Sequence, residues 1–66
     1  MITLTVNGQT QSFETATVDQ LLQQLQLVQS QVAVELNGAI VPREAFGDTP
    51  LQAGDRLEIV RFVGGG

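Results

Sequence analysis

An α+β fold, with one helix lying across a mixed sheet, is predicted by three features of this 66-residue chain. Two Asn-Gly pairs, Asn7-Gly8 and Asn37-Gly38, each join runs of alternating apolar residues, as the turn of a tight β-hairpin does. Between the pairs, Val18, Leu21, Leu22 and Leu25 recur at helical spacing. Beyond them the chain alternates once more from Arg56 to Val63, with Leu57 and Ile59 on the side that suits a core.

Taken in order, Ile2, Leu4 and Val6 alternate with Thr3 and Thr5, a half-buried strand rich in β-branched residues. Asn7-Gly8 tolerates positive φ at both turn positions, so the chain returns through a second strand from about Gln9 to Phe13, with Phe13 in the core. Thr17 and Gln20 have the spacing of a capping box, and Asp19 suits the positive end of a helix dipole. The apolar stripe runs on to Leu25 and Val28 against Gln20, Gln23, Gln24 and Gln26, which predicts an amphipathic helix over residues 18 to 28. Leucines at helical spacing separate this Gln-rich stretch from a low-complexity tract. Val32, Val34 and Leu36 alternate with Ala33 and Glu35 in a third strand that closes at Asn37-Gly38. Ile40-Val41 forms a short fourth strand, ended by Pro42, which has no ladder donor. Residues 43 to 51 are irregular, with Phe46 and Leu51 as anchors, and Gly54-Asp55 turns the chain into the last strand.

Composition limits what such a domain does. There is no Cys and no His, so thiol or imidazole nucleophile–base pairs and the usual zinc sites are excluded, and an autonomous hydrolase with them. Without disulfide or metal, the apolar core alone has to hold one small domain together. A net charge of −4 argues against nucleic acid and anionic membranes, and fits a partner with a basic docking surface. Met1 to Leu4 run straight into a strand pattern with no basic or long apolar segment, so neither a signal peptide nor a membrane span is expected. The expected location is the cytoplasm.

The chain closes on Gly64, Gly65 and Gly66. A terminal carboxylate, with a pKa of about 3.3 to 3.7, is an anion at neutral pH and must be activated before a nucleophile attacks it. Glycine leaves the carbonyl unshielded, and three extended residues reach on the order of 10 Å, enough to enter a partner's active site. Taken alone, the three glycines fit a frayed terminus or linker remnant equally well. All three basic residues are Arg, so the chain offers no lysine for joining copies tail to side chain. On the last strand Glu58, Val60 and Phe62 face away from Leu57 and Ile59, and Val60 and Phe62 beside the glycines are a candidate docking patch. The alternative is that the chain's own loop covers them.

Two hairpins flanking a helix, with first and last strands free to pair in parallel, make the β-grasp or ubiquitin-like roll: residues 1–63 as the domain and 64–66 as a flexible tail. At this level the chain resembles the ThiS family of sulfur carrier proteins of thiamine biosynthesis. The resemblance spans essentially the whole chain. It is carried by the Asn7-Gly8 hairpin, Thr17-Val18 before Leu21-Leu22, Asn37 through Ile40-Val41-Pro42-Arg43-Glu44 with Phe46, Gly54-Asp55 and the terminal Gly65-Gly66. It implies that Gly66 is adenylated by a ThiF-type activating enzyme using ATP and Mg²⁺, which this chain does not itself bind, and becomes a thiocarboxylate. A sulfur-donating protein supplies the sulfur and thiazole synthase of the ThiG type draws on it. It implies too that Val60 and Phe62 meet the activating enzyme, and that the chain is a co-substrate with no catalytic residue and no metal of its own. For Val41-Pro42-Arg43-Glu44 the preferred reading is a structural turn held by a salt bridge.

Other functions share this fold and tail. A molybdopterin-synthase small subunit is the nearest, but such chains are generally longer. A protein modifier or a sulfur donor for tRNA thiolation is next, and a passive interaction domain is the third.

Overall fold

The computed structural model describes residues 1–62; the expected tail, Gly64, Gly65 and Gly66, and the last expected strand position, Val63, lie outside the described residues. Five strands form one mixed sheet: β1 (Ile2–Val6), β2 (Gln9–Phe13), β3 (Val32–Leu36), β4 (Ala39–Val41) and β5 (Arg56–Arg61), in the spatial order β2-β1-β5-β3-β4. β1 and β5 run parallel, and every other neighbouring pair is antiparallel. Among the described residues a single α-helix, α1 (Val18–Gln24), packs on one face, completing the β-grasp roll.

The hairpins form as the Asn-Gly pairs predict. Asn7 and Gly8 have φ of 50° and 83°, Asn37 and Gly38 of 52° and 88°, the doubly left-handed pattern that matches strand twist in a two-residue turn. Each asparagine also does something its turn does not require. The Asn7 side-chain amide donates to the Ile59 carbonyl at 3.0 Å and accepts from the Ile59 N–H at 2.7 Å, extending the β1–β5 ladder beyond the end of β1. Across β5, the Asn37 Oδ1 accepts from the Arg56 N–H at 3.0 Å. The central strand is thereby gripped from both sides.

The core lies between sheet and helix. Leu4, Leu21, Leu22, Val34, Phe46 and Leu57 are almost wholly buried, with Phe13 and Leu51 close behind, as expected. Each such side chain contributes about 1.5 to 3 kcal/mol relative to exposure, which lets 66 residues fold without disulfide or metal.

The helix departs from expectation at both ends. It stops at Gln24 instead of Val28, because Gln26 takes φ of 60° and the Leu27 and Gln26 N–H groups turn back to the carbonyls of Leu22 and Gln23, at 2.9 and 3.0 Å. This is a Schellman closure with glutamine where glycine is usual. It folds Leu27 onto the core and leaves Val28 exposed, so Val28 leaves the stripe. At the start, Gln20 does reach back, but to the Ala16 N–H at 2.9 Å, and the Thr17 hydroxyl donates to Asp19 instead of capping the helix. The Val18 N–H is satisfied by the Thr49 carbonyl at 3.1 Å, so a distant segment supplies part of the cap.

That segment is itself ordered. Arg43–Asp48 forms a 3₁₀ helix that buries Phe46 against α1, where the sequence predicts only irregular chain. The turn before it is structural, as expected, but its bonds are of another kind: the Arg43 guanidinium donates to the carbonyls of Gln29 and Ser30, at 3.0 and 3.5 Å, and ties the turn to a short 3₁₀ segment at Gln29–Gln31.

Candidate functional site

β5 carries the candidate site because its alternation splits its side chains between two faces. Leu57 and Ile59 turn to the helix side and are buried. Glu58, Val60 and Phe62 turn to the open face of the sheet, where Val60 and Phe62 are 58% and 57% exposed. Among the described residues, no loop covers them. The Phe62 N–H donates to the Gln31 carbonyl at 2.8 Å, so the backbone is still held to β3's approach at the last described residue.

Register brings further residues to this face. Val60 stands opposite Ala33, Glu58 opposite Glu35, and Glu35 in turn opposite Ile40. Ile40, 66% exposed, extends the apolar surface to the sheet edge. A shallow depression of about 230 Å³ lies between β3, β4 and the Pro42–Glu44 turn, with Phe62 on its lining. Ile40 was open to sequence reasoning, since its neighbour Val41 is core; Glu35 against Glu58 needed the register. On the opposite face a larger groove of about 440 Å³ is lined by Phe13, Leu25, Leu27 and Ile59, with the Gln9, Gln11 and Arg61 side chains at hand. The short helix leaves it open. Among the described residues, no group of three His, Cys, Asp or Glu side chains is gathered to hold a metal ion. No helix among them is long and apolar enough to cross a membrane.

Residues 4–66 match the sequence model of the ThiS family. The chain belongs to the ThiS family. The sulfur carrier protein ThiS of Bacillus subtilis is 42% identical over 53 residues, covering 80% of each chain. A crystal structure of a ThiS thiamine biosynthesis protein from Geobacter metallireducens superposes with a TM-score of 0.81 at 42% identity, over 98% of this chain and all of that one. A thiazole synthase of Paramagnetospirillum magneticum is 42% identical over 64 residues, 96% of this chain but only 20% of that protein. The chain therefore spans about a fifth of the thiazole synthase it matches, and a second such enzyme, from Magnetococcus marinus, gives 19%.

Proposed function

We propose that this ThiS-family chain is a sulfur carrier for thiazole formation in thiamine biosynthesis, with Gly66 as the residue that carries the sulfur. The observation that bears most weight is the match along residues 4–66 to a family whose Bacillus member is a sulfur carrier, on a roll whose central strand leads to Gly64, Gly65 and Gly66. From Phe62, four residues reach about 13 to 14 Å when extended. That is long enough to bring a carboxyl into another protein's nucleotide site while Val60 and Phe62 rest on its surface.

The chemistry follows from what a carboxylate needs. Its oxygen attacks the α-phosphorus of ATP, which a ThiF-type activating enzyme holds with Mg²⁺; pyrophosphate leaves, and the carboxyl becomes an acyl adenylate. A sulfur nucleophile at the oxidation level of sulfide, brought by a sulfur-donating protein, then adds to the acyl carbon. AMP departs with the C–O electron pair, and the product is a thiocarboxylate anion. Glycine has no Cβ to obstruct either step. Carrying sulfur on a carboxyl also explains how a chain without cysteine serves this purpose. Thiazole synthase is the acceptor, a reading supported by relatives in which the counterpart of this chain is part of a thiazole synthase. The chain is a co-substrate, not a catalyst, and ATP-dependent activation puts it in the cytoplasm.

Removal of Gly66 tests this reading in cells. A strain lacking its own carrier is expected to grow without thiamine when given the full chain and to fail when given the chain ending at Gly65. Growth with the shortened chain would contradict the proposal.

A further inference from the structure

The two edges of the sheet are unlike. β4 is three residues long and runs into Pro42, which blunts it as a template for another strand. β2 is five residues long and paired to β1 alone, with no lysine, proline or bulge to protect it. From Met1 to Phe13 no side chain is charged, although the whole chain has a net charge of −4. Which backbone groups this edge offers follows from β1. The Thr5 N–H donates to the Asp55 carbonyl at 3.0 Å, the Asn7 N–H to the Leu57 carbonyl at 2.9 Å, and the Thr3 carbonyl accepts from the Gly54 N–H at 2.8 Å, so these residues bond toward β5. Ile2, Leu4 and Val6 therefore bond to their partners Phe13, Gln11 and Gln9, and Thr10 and Ser12 turn their N–H and C=O groups out to the free edge. The Thr10 and Ser12 hydroxyls lie on the open face, paired with those of Thr5 and Thr3 at 3.0 and 3.5 Å.

We propose that β2 pairs antiparallel with β2 of a second copy of this chain, about a two-fold axis at Gln11, and so joins two sheets into one. The edge is self-complementary in that register. Thr10 stands opposite Ser12 of the second copy and Ser12 opposite its Thr10, so each outward N–H and C=O meets its counterpart in a hydrogen-bonded pair, and Gln11 faces Gln11. The hydroxyl row of Thr5 and Thr10 runs on into Ser12 and Thr3 of the second copy, the kind of small polar pair that supports strand pairing. On the helix side, Gln9 comes to lie beside Phe13 of the second copy, at the groove that Phe13, Leu25 and Leu27 line. Charge favours this occupant, because two acidic chains meet here without opposing any carboxylates: Glu14, the first beyond the strand, falls opposite Gly8. β1 lies between β2 and β5, so Val60 and Phe62 stay uncovered in the pair and the proposed carrier function is not obstructed.

Sedimentation equilibrium of the chain tests this. The mass is expected to rise from 7.1 kDa toward twice that value between about 10 µM and about 1 mM chain. Amide exchange at Thr10 and Ser12 slows over the same range, while that at Leu4 and Gln11, bonded within the hairpin, does not change. Thr10→Pro removes an outward N–H that β1 does not use, so the variant keeps its circular dichroism and associates about tenfold or more weakly. Gln11→Lys and Gln11→Glu each set like charges across the axis and stay monomeric alone, and an equimolar mixture of the two associates again. A wild-type chain that stays at 7.1 kDa up to about 1 mM would overturn the proposal. So would association that survives Thr10→Pro and both Gln11 variants, which would place it on another face, or a mixture that associates no better than either variant alone.

Discussion

Asn7 and Asn37 each serve their turn and the neighbouring strand at once. Their positive φ was legible from the Asn-Gly pairs, because few other residues accept that backbone; their side-chain bonds to β5 were not, because those depend on which strand lies alongside. Replacing Asn7 with Ala removes the pair of bonds to Ile59 and strains the turn. A loss of about 2 kcal/mol in urea unfolding is expected, and a loss within error would show that the amide pairing is dispensable. Gln26 is the reverse case, a residue in left-handed backbone that gives no signal in the sequence. Gln26→Gly should raise stability by about 1 kcal/mol by removing the Cβ penalty, and no gain would mean the closure is unstrained.

Among elements, the strands were more legible than the helix. Period-two alternation fixed which residues of β1, β3 and β5 face the core, and so identified Val60 and Phe62 as outward. The predicted helix runs too far because Val28 continues the helical stripe past the point where the chain turns, and Leu27 returns to the core by a route that periodicity does not encode. The 3₁₀ helix over Arg43–Asp48 is held by contacts to distant chain, and only its anchor Phe46 was visible. Phe46→Ala should cost about 3 to 5 kcal/mol, enough to unfold most of so small a domain at 37 °C, as circular dichroism would register. Phe62→Asp should leave thermal unfolding nearly unchanged yet weaken capture by the activating enzyme by about tenfold or more. Marked destabilisation would place Phe62 in the core after all.

For the molecule as a whole, two hairpins and a helix implied that the first and last strands meet in parallel, and they do, at the centre of the sheet. The strand that precedes the glycines is thus hydrogen-bonded on both sides, a firm mount for the reach that the proposed function asks of them. What one-dimensional pattern could not supply is which side chains share the open face: Glu35, Ile40 and Glu58 come together only through register. The most direct measurement is the intact mass of the chain after incubation with its activating enzyme, ATP and a sulfur source. The account predicts a gain equal to one oxygen replaced by one sulfur, located on Gly66 by fragmentation; an unchanged mass, or a chain joined to a target lysine with loss of water, would contradict it.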